Sequence, residues 1–100
     1  MATVSKALFR GAASTSSTTL YTVPSSTTTI VTNILVTNTG GSDSTFTILL
    51  DDVSAATTVT VGGFDTTIID MKQALATAKT IKGSAGATSV NFHISGVEIS

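Results

Sequence analysis

Along most of this chain apolar residues recur at every second position, the period that sends side chains alternately to the two faces of a β-strand. The alternation is cleanest in Ser44 to Leu50, where Phe46, Ile48 and Leu50 share a face, and in Ser89 to Ser95, where Val90, Phe92 and Ile94 do. Thr28 to Thr37 is the strongest run. Ile30, Ile34 and Val36 lie on one side of it and Val31 and Leu35 on the other, so both faces are expected to be partly buried. Shorter runs follow the same rule at Thr18 to Val23, Thr57 to Val61 and Thr66 to Met71, and Val97 and Ile99 extend the last strand past Gly96, a position for a bulge or a close approach.

The breaks between these runs carry turn chemistry. Pro24 stops one strand because it cannot donate to a ladder. Asn38 to Asp43, with Gly40 and Gly41, is read as the slightly long loop of a hairpin that supplies left-handed positions, and Asp51-Asp52 and Gly62-Gly63 end later strands. Ala2 to Phe9, with Val4, Leu8 and Phe9, reads as an edge strand or as an arm lying on a neighbour. Gly11 to Ser17 is small and hydroxyl-rich, a flexible linker, so residues 1–17 are assigned to an arm and linker and residues 18–100 to the folded domain.

One segment supports two readings. Met71, Ala74, Leu75, Ala78 and Ile81 recur at helical spacing, Asp70 and Gln73 fit a capping box and Gly83 fits a C-terminal stop, which predicts a short helix near 70–82. The alternative is strand, turn, strand. Short strands at intervals of about ten residues predict an all-β fold, a single β-sandwich or jelly-roll-like domain.

Composition sharpens this picture. The chain has 100 residues, enough for one core, with 41% hydrophobic and only 11% charged residues. Hydroxyls fill the deficit, 21 Thr and 13 Ser, and the β-branched Thr, Val and Ile favour strands. A net charge of −1 with scattered Lys6, Arg10, Lys72, Lys79 and Lys82 gives no field for nucleic acid. So few charges also leave the surface poorly protected against association, which implies coverage by partners. There is no cysteine to staple the fold or bind metal. No apolar run reads as a signal peptide or approaches the ~20 residues of a membrane span, so the chain is expected to be made in a cytoplasm and to stay soluble until it assembles.

Candidate chemistry is sparse. His93 alternates with Phe92 and Ile94 and so faces away from the core; one histidine without Cys cannot complete a tetrahedral metal site. Asp43, Asp51 and Asp52 lack calcium-loop spacing and fit turn caps. No GxSxG elbow accompanies the histidine, and the paired glycines precede no phosphate-binding helix. No catalytic, cofactor or metal residue is therefore assigned. Phe64, following two glycines, is the aromatic most suited to an interface.

Leu20-Tyr21-Thr22-Val23-Pro24, Ile34-Leu35-Val36-Thr37-Asn38-Thr39-Gly40 and Ser95-Gly96-Val97-Glu98-Ile99 together give a recognisable pattern. Over Thr18 to Ile99 the chain resembles the small β-sandwich virion proteins of tailed bacteriophages. The resemblance implies a structural, non-enzymatic role on the particle: a decoration or cement protein on the capsid, or a tail, neck or fibre component that connects or recognises a host surface. It implies a turn into a late strand across Leu75 to Lys82, although Ala76-Thr77-Ala78 departs from the acidic or glycine turn of such chains. The expected partners are the major capsid protein or another virion protein and further copies of the chain, as a dimer or trimer. Val4, Leu8, Phe9, Phe64 and His93 are the expected interface residues.

Overall fold

The alternating runs form eight strands and, among the described residues, no helix; the structure is a computed structural model that describes residues 2–100. The strands are β1 (Thr3–Ala12), β2 (Thr18–Thr22), β3 (Thr28–Asn38), β4 (Ser44–Leu50), β5 (Val53–Val61), β6 (Thr66–Leu75), β7 (Thr80–Ala85) and β8 (Val90–Ile99). They pair antiparallel in two four-stranded sheets, in the orders β1-β8-β3-β6 and β2-β7-β4-β5. In this arrangement β1 lies beside β8, β2 beside β7, β3 beside β6 and β4 beside β5. The chain is a long ribbon doubled back at the β4–β5 turn and wrapped so that alternate segments fall in opposite sheets, which is the jelly-roll order. The expected all-β, jelly-roll-like sandwich is therefore the fold.

The inward faces match the alternation. Phe46, Ile48, Ile81, Val90, Phe92 and Ile94 are fully buried, and the rings of Phe46 and Phe92 meet edge to face at 6.2 Å and 73° across the two sheets. β3 departs from the expected faces. A bulge between Val31 and Asn33 shifts its phase, so Val31, Ile34 and Val36 point inward while Ile30 and Leu35 face outward.

The tight hairpin is β4–β5. Asp51 and Asp52 both take left-handed conformations, φ 54° and 60°, and Leu50 pairs with Val53: a two-residue turn whose twist matches that of the strands. The expected hairpin across Asn38 to Asp43 is corrected, since that loop carries the chain from one sheet to the other. Nor do its glycines supply left-handed residues, because no glycine here has positive φ. Gly63 is needed for close approach, since a Cβ there would sit 2.5 Å from the Gly41 carbonyl oxygen.

The helix expected near 70–82 is also corrected. β6 continues to Leu75, a turn closes where Lys79 N–H donates to Ala76 O, and β7 begins at Thr80. Of the five residues at helical spacing only Leu75 and Ile81 are buried, and they are buried by opposite sheets. A short helix there would pack by two side chains only, whereas β6 along β3 also carries Ile69 and Met71 against the core. Thr77 fixes the turn, accepting from Thr27 N–H at 3.1 Å and donating to Thr27 O at 2.8 Å.

Residues 3–12, read as an edge strand or as an arm, are the edge strand β1 of the chain's own sheet, paired with β8 from Thr3–Ile99 to Ala12–Asn91. Ala13 is buried and donates to Val90 O, so the linker begins later than Gly11 and the amino-terminal segment is part of the sandwich.

Candidate interaction surfaces

One end of the sandwich carries the loops 39–43, 62–65 and 86–89, and a single buried side chain organises them. Asn38, with no exposed surface, donates from Nδ2 to Ser42 O at 2.7 Å and to Val61 O at 3.4 Å. Its Oδ1 accepts from Gly40 N–H and from Ser89 Oγ, both at 3.0 Å. All four hydrogen-bonding positions of the amide are used, so the loops are held as one unit.

Phe64 stands on that unit. Its backbone has φ 56°, its N–H donates to Gly40 O at 2.9 Å, and Gly63 N–H is capped by Asp43 Oδ1 at 3.0 Å. One edge of the ring lies against Gly41, yet 80% of the residue is exposed. A bulky side chain at positive φ costs about 1–2 kcal/mol, and this one recovers little of that by burial.

The other end brings a polar cluster between the sheets. Tyr21 OH donates to Glu98 Oε2 and lies 2.8 Å from Thr29 Oγ1, and Lys6 Nζ is 3.4 Å from Glu98 Oε1. Burial, reinforced by the neighbouring Glu98 carboxylate, pushes the Tyr21 phenol up to about 12. The Tyr21 hydrogen bond, with help from Lys6, holds Glu98 below the usual carboxylate range against the opposing effect of burial. The cluster fastens β1 and β8 to β2 and closes that side of the sandwich.

Beside the β4–β5 turn, where the two sheets part along β5 and β6, a groove of about 400 Å³ is lined by Leu50, Val53, Ser54, Ala55, Met71 and Gln73. Val53 is 67% exposed at its mouth. Asp51 and Asp52 flank it but face Lys79 and Lys82, at 3.6 and 2.6 Å.

A third surface is the outer face of the β1-β8-β3-β6 sheet. Leu35 pairs across to Ile68, and Ile30 sits between Val97 and Ala74, giving an aliphatic band that is interrupted by the polar row Ser95–Asn33–Asp70 and bordered by Arg10 and His93. The outer face of the other sheet differs, presenting Thr45, Thr47, Thr60 and Ser84.

The expected interface residues do not converge. Val4 is half exposed near the end opposite Phe64, Leu8 is buried over Gly96, and Phe9 packs against the core edge. His93 is on the outer aliphatic face, between Arg10 of β1 and Leu35 of β3. Sequence reading missed the groove and the aliphatic band; the two-sided apolar pattern of Thr28 to Thr37 was the available signal for the band. Among the described residues no three His, Asp or Glu side chains come together as a metal-binding group. Compared with known proteins, the chain matches no family model and no curated protein.

Proposed function

We propose that this chain is a structural protein of a tailed-bacteriophage particle, a decoration protein that cements the capsid through many copies of modest protein–protein contacts. The observation that carries this reading is the outer aliphatic band of Ile30, Leu35, Ile68 and Val97, half-buried except for the exposed Ile68, on a chain with only 11% charged residues to discourage association. The eight-stranded jelly roll, an architecture used by capsid proteins, is consistent with it. A shell needs no single strong bond: repetition over a lattice multiplies a weak contact into resistance to expansion. The partner is then the major capsid protein, met by the outer face of the β1-β8-β3-β6 sheet.

A second reading, a tail, neck or fibre component, draws on Phe64, whose exposure at a rigid loop end suits docking to a receptor or connector. Cryo-electron microscopy of purified particles separates the two. Many copies ordered on the capsid lattice with the aliphatic band facing the shell support decoration, a few copies at the tail support the second reading, and absence from particles overturns both.

A further inference from the structure

The exposed Phe64 and the empty groove on the same edge are complementary, and we propose that they bind each other between copies: Phe64 of one chain inserts into the Leu50–Val53–Met71 groove of the next. This contact is separate from the aliphatic face and does not depend on which particle, if any, the chain decorates.

Three observations carry it. The left-handed backbone at Phe64 is stabilised by its loop bonds to Gly40 and Asp43, but the ring gains almost no burial in the isolated molecule. Asn or Gly would make the same turn with less strain. A solvent-facing aromatic on a strained backbone held by hydrogen bonds is the form an interface anchor takes, because its main chain is already fixed before binding. The groove is also the right kind of receptor. Its volume of about 400 Å³ has room for one phenyl ring, and it is lined by Leu50, Val53, Ala55 and Met71 together with the polar Ser54 and Gln73.

Charge supplies the third. Asp43 and Asp65 flank Phe64, whereas Lys72, which lines the hollow adjoining the groove at Met71, makes no ion pair among the described residues. Asp70 shares that neighbourhood with Lys72, and Asp51 and Asp52 on the turn are already matched by Lys79 and Lys82. Of the two cations without an ion pair among the described residues, Arg10 and Lys72, Lys72 is the one near the groove and is set to meet the acidic tip.

The two halves cannot meet within one molecule. They lie near opposite ends of β5, nine residues long, and so roughly 25 Å apart at about 3.3 Å per residue. Contact between copies is therefore either reciprocal, two chains exchanging knob and groove about a twofold axis, or head to tail, each chain offering a knob to one neighbour and a groove to another in a ring or filament.

The test is sedimentation velocity on the full chain at concentrations up to about 1 mM, because one small contact is expected to be weak. The wild-type chain is expected to associate with increasing concentration. Phe64→Ala and Val53→Asp should each weaken self-association at least about thirtyfold, the effect of losing a hot spot. Mixed together, they should form a one-to-one pair that grows no further, since one retains a groove and the other a knob. Both positions are exposed, so circular dichroism should show native folds; if Val53→Asp unfolds, the exposed Ala55→Lys blocks the same groove. A wild-type chain that stays monomeric throughout overturns the proposal. So does a Phe64→Ala chain that associates like wild type, or a mixture that fails to pair.

Discussion

Ser89 Oγ donates to Asn38 Oδ1 at 3.0 Å, joining the loop before β8 to the end of β3 across fifty-one positions of sequence. The same amide reaches Ser42, Val61 and Gly40, so one residue spans three loops.

Replacing Asn38 by Ala should leave two carbonyls, an amide and a hydroxyl without the partner that the buried side chain gives them. The expected loss is about 2–4 kcal/mol, which for a domain of this size lowers Tm by roughly 10–20 °C. Asn38→Asp keeps the acceptor side but turns a carboxylate toward the Ser42 and Val61 carbonyls. It should be destabilised too, and less so in acid, where protonation restores a donor. Urea denaturation at two pH values reads both effects.

Gly96 and Gly11 should separate a required glycine from a tolerated one. A Cβ at Gly96 would lie 2.4 Å from Ile30 O on the neighbouring strand and 2.8 Å from Leu8, so Gly96→Ala must push β8 away from β3. About 2–4 kcal/mol should be lost. At Gly11 a Cβ meets only the Phe9 ring, at 3.4 Å, and Gly11→Ala should change stability by less than about 1 kcal/mol. Thermal unfolding of the two variants side by side checks this.

The Tyr21–Glu98 contact predicts stability that falls at both extremes of pH. Glu98 has a depressed pKa in the folded chain, so its contribution is complete above the ordinary glutamate value and disappears as pH falls through the folded one. Tyr21 is shifted the other way. Its contribution is complete below about 10, the unfolded value, and is lost as pH rises toward about 12. Glu98→Gln should lose most at neutral pH and approach wild type in acid. Because Tyr21 is the only tyrosine and there is no tryptophan, phenolate absorbance titrates this one group. A midpoint near 10 in the folded protein would remove the buried contact from the account.

Much of this architecture is visible in the residues. Phe46, Ile48 and Leu50, and Val90, Phe92 and Ile94, are inward where a two-residue period puts them, because sandwich strands have one wet face. The bulge beside Asn33 leaves no mark in composition, and it turned the faces of β3 over for half its length. The helical spacing of Met71 to Ile81 arose from two strands read through the turn between them. Paired glycines drew attention to Asn38–Asp43 as a hairpin, while the real two-residue turn uses Asp51 and Asp52, residues that tolerate the left-handed region through their short polar side chains. Phe64 could be singled out as a lone aromatic after two glycines. The groove could not, since Leu50 and Met71 meet only when β5 and β6 fall in different sheets.

The amino-terminal segment gives the sharpest contrast between an appended arm and an integral strand. As β1 it covers the edge of β8 along its length, places Leu8 over Gly96 and sets Lys6 against Glu98. Burying Leu8 alone contributes about 1.5–3 kcal/mol, and losing the ladder exposes the edge of β8, including Ile94 and Phe92, to water. A domain of this size has only about 5–15 kcal/mol in total. Deleting Ala2 to Ala12 should therefore leave a chain that is unfolded or aggregated, with collapsed amide dispersion in a proton–nitrogen NMR spectrum. A truncated chain with the dispersion and Tm of the full-length protein would mean that β8 can stand as an edge, and that the segment is free to serve a neighbour after all.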